Sequence, residues 1–536
     1  MTSPLRVWAP AAAHVDLVID GELVPMAEAT GGWHEGPAVA PGTDYLFSVD
    51  GGAALPDPRS PWQPHGVRGP SRAVDHEQFT WRTDGVPIDL GRAVIYELHV
   101  GTFTREGTFE AVLDRLDHLL DLGVTAIELM PVAEFPGRRG WGYDGVHLWA
   151  PHSGYGGPDG LQRLVDGCHA RGVAVILDVV YNHLGPDGNV LGEFGPYFTH
   201  RYATPWGQAV NLDDSGSDEV RRFFIDNALM WLGDYRFDGL RIDAVHALVD
   251  TSAVHVLEQL AVEVAERFPR AVLIAESDLN DPRVVRPRTA GGHGIHAQWS
   301  DDFHHALHVA LTGERSGYYA DFEGWADVAT AWTDTFVYAG RHSTHRGRRH
   351  GRPVEGVGPQ SFLAYLQNHD PVGNRAAGER SAALLSPGRL RIAAAVVVLS
   401  PFVPMLFAGE EWGASTPFPY FTDHEDPDLA AAVTEGRRRE FAAFGWGPED
   451  VPDPQDPATF ASAVLCWDEV ATEPHTGLLA WHRELIALRT TLAPAGPGDV
   501  SADVDGDRVV LRRPGVTIDI DLAAESVEIV PDGAAG

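Results

Sequence analysis

Eight short apolar runs, each followed by a stretch with helical periodicity, succeed one another between residue 93 and residue 410. They are AVIYELHV (93–100), AIELM (126–130), AVILDVV (174–180), GLRIDAV (239–245), AVLIAE (271–276), AQWS (297–300), SFLAYLQNH (361–369) and PMLFAGE (404–410). Runs this short and this apolar suit strands buried on both faces of a parallel sheet. Between the first two, TFEAVLDRLDHLLDLG spaces its apolar residues as a helix does and ends on a glycine cap. Eight βα units over about 400 residues predict a (β/α)8 TIM barrel with long loop insertions. The rival is a doubly wound open sheet, but no Gly-rich dinucleotide turn follows the first strand.

The flanks have another texture. RVWAP, HVDLVID and DYLFSVD alternate as strands broken by Gly and Pro, which predicts an N-terminal β-sandwich of a carbohydrate-binding kind over residues 1–85. DPRSPWQPHGVRGPSR has no periodicity and reads as a Pro-rich joining segment. The barrel is expected over 86–494, closed by the helix-like TGLLAWHRELIALRTTL (476–492). DRVVLRR and VTIDIDL then predict a small C-terminal β-domain over 495–536. The fold class is therefore multidomain α/β, as 536 residues exceed what one core organises.

Composition removes whole classes of function. The chain contains no lysine, so all 40 basic residues are arginine. Walker-lysine, kinase and pyridoxal Schiff-base chemistry are excluded, and carboxylates, histidines and hydroxyls must carry any reaction. A net charge of −36 repels phosphate backbones, so neither nucleic acid nor an anionic membrane is expected as a partner. Two cysteines, Cys168 and Cys466, make no disulfide framework. With no signal-like N-terminus and no apolar run of membrane length, a cytoplasmic location is expected.

Catalytic groups of such barrels lie at the C-terminal ends of the strands. Those ends hold Asp178, Asp243, Glu276 and Asp370. One such acid is ordinarily a cap or a loop ion pair. Several in one barrel, beside His and Arg, point to separated pKa values and acid–base work. Asp243 and Glu276 fall on adjacent strands, about 4.8 Å apart, near the roughly 5–5.5 Å carboxyl separation of a retaining glycosidase. Arg241, two residues before Asp243, shares its side of the strand. The short Asp243 suits a nucleophile and the longer Glu276 a proton shuttle.

DVVYNH (178–183), GLRIDAVH (239–246), IAES (274–277) and NHDPVGNR (368–375) resemble, in order, the four signature regions of the α-amylase superfamily. VIYELHVGTFTREGTF, HAQWSDDFHHALH, RVVRPR and EEWGASTPFPYFTDH are similar to the maltooligosyltrehalose trehalohydrolase family within it. The resemblance implies a hydrolase that frees trehalose by cutting the α-1,4 bond beside the terminal trehalose of a maltooligosyl-trehalose. It implies Asp243 as nucleophile, Glu276 as acid/base and Asp370 as the third, transition-state-stabilising carboxylate. His183, Arg241 and His369 would hold the sugar before the cleaved bond, and Tyr143 would be its stacking platform. His246 and Asn374, in the same motifs, are further substrate-binding candidates. So are Asp301, Asp302, His304 and His305 after the sixth strand, although some could simply cap the next helix. Arg348 and Arg349, in the Arg/His-rich run 341–352, are candidate readers of the trehalose leaving group.

Two residues depart from the family pattern. Pro371 follows the third carboxylate and is expected to hold Asp370 extended and remove a backbone donor. His147 stands where glycine is expected, and both could alter sugar contacts near the cleavage point. The alternatives are a glycogen branching or debranching enzyme, and a non-catalytic glucan-binding homologue, which would have lost a carboxylate. No cofactor and no metal are required by the chemistry. The partner implied is the maltooligosyl-trehalose substrate, with the chain a monomer or, alternatively, a homodimer.

Overall fold

The computed structural model describes residues 4–442, 446–447 and 450–532. Its centre is a closed barrel of eight parallel strands, one from each of the eight apolar runs. They are β1 (Ile95–Leu98), β2 (Ala126–Leu129), β3 (Ala174–Val179), β4 (Gly239–Ile242), β5 (Val272–Ala275), β6 (Ala297–Trp299), β7 (Phe362–Ala364) and β8 (Val403–Phe407), and β8 pairs back onto β1.

Strand alternation then sorts the lumen into two layers. Ile95, Ala126, Ile176, Ile274, Leu363 and Met405 are fully buried in one apolar cluster that plugs the lower barrel. Two residues further along the same faces stand Glu97, Glu128, Asp178, Glu276, Tyr365 and Phe407. The period-2 geometry therefore turns an oily floor into an acidic ceiling within one residue pair per strand. Charge placed so deep is tolerated only when paired, and the pairing is the candidate site.

The first helical stretch is broken once. Phe109–Leu113 and Leu116–Leu122 are separate helices, and Gly123 closes the second at φ 96°, a left-handed cap that other residues resist. Helix His475–Thr491 forms where its periodicity predicted and packs beside helices Pro387–Val398 and Leu116–Leu122.

N-terminal residues form two antiparallel sheets, one centred on Trp33–Ala38 and one on Val15–Ile19 and Asp44–Val49. The segment that follows, structureless by sequence, is a strap clamped to the barrel. Arg59 pairs with Asp226 (2.9 Å), Trp62 Nε1 donates to Ser153 (3.1 Å), and Arg68 pairs with the buried Asp187 (2.6 Å). These partners lie far away in sequence, so no local pattern announces them. Residues 501–531 form a four-stranded antiparallel sheet. Its two inner strands were legible, whereas Ser501–Asp505 and Ser526–Pro531 are edge strands with mostly exposed residues and a weak apolar signal. Among the described residues no helix is long and apolar enough to cross a membrane.

Candidate active site

Arg241, fully buried, organises the mouth of the barrel. Its Nη1 donates to both oxygens of Asp178 (2.8 Å each) and to Asp243 Oδ1 (2.8 Å). Its Nη2 lies 3.2 Å from Glu276 Oε2, and its plane stacks on Trp299 at 4.1 Å. One rigid fork thus holds carboxylates from β3, from the turn after β4 and from the end of β5. A planar five-donor cation can do this, while an ammonium could not. The Asp178 pairing follows from register, since Asp178 and Arg241 are direct partners across β3 and β4.

Glu276 receives a second tether: the Ala244 backbone N–H donates to its Oε2 at 2.6 Å. Ala244 has φ 38°, a strained left-handed conformation for a residue with a Cβ, and it directly follows Asp243. The backbone bends sharply where it presents one candidate acid and grips the other. Burial pushes the Glu276 carboxyl well above its ordinary range; the Arg241 cation opposes that, while Asp243, Asp370 and Asp301 add to it. Asp178 rises to about 6, also from burial, against the pull of Arg241.

Asp370 is half exposed at 46% and lies 3.6 Å from His369 Nε2. It sits in a one-turn helix, His369–Gly373, whose cap Asn368 accepts the Asp370 N–H at 2.9 Å. The expectation of an extended Asp370 is therefore corrected. Pro371 occupies the first turn of that helix, where a backbone N–H has no intrahelical acceptor, so the proline costs no bond. Tyr143 donates to Asp178 Oδ2 (2.5 Å) and stacks against His369 with centroids 5.0 Å apart. His183 engages the Asn182 amide and the Tyr143 carbonyl (2.9 Å each). Its ring lies flat on Trp206, 4.7 Å away and tilted only 3°. Trp206 is 49% exposed, on a hairpin inserted after β3, and was not singled out by sequence.

The other candidates separate into groups. Asp301 stays near the site, accepting from Tyr365 at 2.5 Å, and burial lifts it to about 7. Asp302 and His304 are buried and held by other segments. Asp302 Oδ2 accepts from Asn280 (2.8 Å) and from the Tyr338 N–H (2.7 Å). His304 donates to the Leu366 carbonyl (2.6 Å) and pairs with the Tyr319 hydroxyl (3.0 Å), so neither ring nitrogen remains for a sugar. His305 packs its ring on Tyr318, 4.8 Å away. His246 and Asn374 are exposed, and Asn374 accepts from Arg437 at 3.3 Å.

Arg348 and Arg349 are exposed on a short hairpin and donate to its carbonyls of Arg349 (3.3 Å) and Gly340 (3.0 Å). Two arginines of that run reach the loop after β5: Arg346 pairs with Asp278 at 3.2 Å and Arg352 with Asp281 at 3.9 Å. His147 is buried as well, and its donation to the Val67 carbonyl at 2.8 Å locks the N-terminal strap to the barrel. Sequence reading also passed over Glu97, which holds His369, and Glu128 beside it. A lone Glu at matching positions of two otherwise apolar strands was the available signal.

Among the described residues no cluster of His, Cys, Asp or Glu has the arrangement of a metal site. The site can hold a sugar ring against Tyr143 and present an ionised carboxylate and a proton-bearing one to its anomeric carbon.

Residues 75–202 match the model for the catalytic domain of alpha amylase. The chain is 52% identical to a malto-oligosyltrehalose trehalohydrolase from Arthrobacter ramosus, over 95% of this chain and 90% of that protein. It is 48% identical to one from Mycobacterium tuberculosis, over 97% and 92% respectively. It superimposes on a crystal structure from Salmonella typhimurium with a TM-score of 0.90 and 40% identity, covering 96% of this chain and 90% of the other.

Proposed function

The chain belongs to the malto-oligosyltrehalose trehalohydrolase family, and on that premise we propose how its cleft performs the reaction. The protein is an α-amylase-type glycoside hydrolase that releases trehalose and a maltooligosaccharide by cutting the α-1,4 bond next to the terminal trehalose. Asp243, kept ionised and oriented by Arg241, attacks the anomeric carbon, while Glu276 protonates the departing trehalosyl oxygen. Glu276 then takes a proton from water, which displaces Asp243, so the α configuration is retained. Asp370 faces the positive charge that develops on the ring. Tyr143 and His369 offer the sugar a stacking face and a donor. The observation that carries this reading is the single Arg241 fork, which brings the nucleophile and the acid within one guanidinium of each other.

Chromatography of products from maltooligosyl-trehalose tests it: free trehalose is expected. A glucan product with new branches and no trehalose would instead support the rival. That rival is represented by a branching enzyme from Pseudoalteromonas atlantica, 30% identical over 62% of this chain.

Two expectations follow directly. A general acid must enter the reaction protonated, so kcat/KM should fall as pH rises through the Glu276 pKa. Because burial raises that pKa well above the ordinary range, activity should persist through neutral pH. A profile already declining above about pH 5, near the reference value for glutamate, would contradict the assignment. The second concerns the leaving group. Trehalose is compact and covered in hydroxyls, so arginines near the β5 side suit it. Arg346→Ala should cost about tenfold more in kcat/KM on maltooligosyl-trehalose than on plain maltooligosaccharides. The exposed pair Arg348→Ala/Arg349→Ala should discriminate in the same sense but less. Equal losses on both substrates would make the run structural.

We further propose a monomeric enzyme that works in the cytoplasm, the location being supported by cysteines that are both free, Cys168 buried and Cys466 exposed. Cell fractionation and light scattering test these two points.

A further inference from the structure

Two fully buried carboxylates play no part in the mechanism above. Glu97 and Glu128 are register partners across β1 and β2, and neither has measurable exposure. They are nevertheless unequal. Glu97 Oε1 accepts the His369 Nδ1–H at 2.5 Å, and its Oε2 accepts the His369 backbone N–H at 3.0 Å. Neither oxygen of Glu128 has a hydrogen-bond partner among the described residues. An ionised carboxylate without donors in so dry a place is very costly, whereas a protonated one is neutral. Two carboxylates side by side do not both ionise, and the one with donors keeps the charge.

We propose that Glu97 is a positioning residue for this reaction: ionised beside a proton-bearing Glu128, it fixes His369 as a cation that donates from both ring nitrogens. This inference rests on reading the cleft as the glycosidase site. With Nδ1–H committed to Glu97, Nε2–H is left facing Asp370, 3.6 Å away, and the sugar bound beside it.

The charged and titratable groups that face His369 pull in both directions. Arg241 on β4 and His99 after β1 disfavour a cation, and Glu97, Glu128, Asp178 and Asp370 are the acids near it. The rings of Tyr143, Trp141 and Trp299 enclose it. Burial alone would make the imidazole neutral, but the carboxylates of Glu97 and Asp370 outweigh it and raise His369 to about 9. For Glu128 burial comes first and repulsion from Glu97 second, both pushing its carboxyl upward.

Glu97→Gln keeps an oxygen for Nδ1–H and removes only the charge. Burial then prevails, and the ring becomes neutral at pH 7 with a bare Nε2. The test compares pH profiles of kcat/KM on maltooligosyl-trehalose for wild type, Glu97→Gln and Glu128→Gln. Glu97→Gln should lose about 10- to 100-fold at pH 7, the worth of one charged hydrogen bond. It should recover towards acid pH, its alkaline limb displaced by at least one pH unit because His369 now titrates before Glu276. Glu128→Gln replaces a neutral acid by a neutral amide, so its limb should stay in place. A loss by the same factor at every pH, or a limb that moves in Glu128→Gln instead, overturns the proposal.

A second measurement does not depend on activity. In wild-type protein labelled with 15N-histidine, His369, assigned from the His369→Gln spectrum, should show both ring nitrogens protonated at pH 8. A neutral imidazole pattern there refutes the inference even if the enzyme releases trehalose. An imidazolium in an enzyme that releases none refutes the site reading instead.

Discussion

Asp243→Asn is expected to fold like wild type and to lose roughly 10⁴–10⁶-fold in turnover, on the pattern of nucleophile deletions elsewhere. The amide retains an oxygen for Arg241 Nη1, which sits 2.8 Å from Asp243 Oδ1, so the local hydrogen bonding can persist. What disappears is the negative charge that attacks the anomeric carbon, and no neighbour can replace it. Asp178 is sequestered by Arg241 and Tyr143. Asp370, at 46% exposure, lies on the one-turn helix after β7, beside His369. Single-turnover kinetics on maltooligosyl-trehalose, with a thermal melt as control, check this. Residual activity within about tenfold of wild type means under 1.4 kcal/mol of barrier and removes Asp243 as nucleophile.

Arg241→Leu is expected to damage both stability and catalysis, and the stability loss should depend on pH in a definite direction. The substitution fills similar space but strands Asp178, Asp243 and Glu276 without their cation. Breaking a buried pair by removing one partner costs about 3–5 kcal/mol, because an uncompensated charge is left behind. These carboxylates would then hold protons in the folded state at pH values where the unfolded chain has released them. Where the folded state binds more protons, stability falls as pH rises. Asp178 already titrates near 6 with the arginine present, because of burial, so the window opens above the ordinary carboxylate range and extends past pH 6. The thermal midpoint of Arg241→Leu should therefore lie furthest below wild type at about pH 8 and approach it near pH 5. A displacement that stays constant over this range would show that the cost is lost packing on Trp299, not stranded charge.

Much of this protein could be read from its residues in order. Eight apolar runs with helical stretches between them dictate a parallel sheet covered by its crossover helices, and the missing dinucleotide turn favoured a barrel over an open sheet. Asp243, Glu276 and Asp370 were legible because acids at strand ends stand out against apolar runs. Arg241 was legible because a two-residue spacing on a strand keeps two side chains on one face.

Other features depended on long-range pairing. That Glu97 and Glu128 face each other follows only once β1 and β2 take their register, and which of them is charged depends on His369, some 270 residues away. Asp302 and His304 look like sugar ligands in QWSDDFHH, yet Asn280, Tyr338, Leu366 and Tyr319 occupy them from four other segments. His147 reads as a cleft substitution until Val67 arrives beneath it on the strap. Pro371 seemed to forbid a helix, but a proline in a first turn meets no constraint there, and only the Asn368 cap reveals that the turn begins one residue before His369. Local periodicity determined the elements and the acids they carry. Which polar groups were spent on holding the fold, and which were left for a substrate, was decided by contacts between segments remote in sequence, because a buried hydrogen bond depends on distance in space and leaves no periodic mark on the chain.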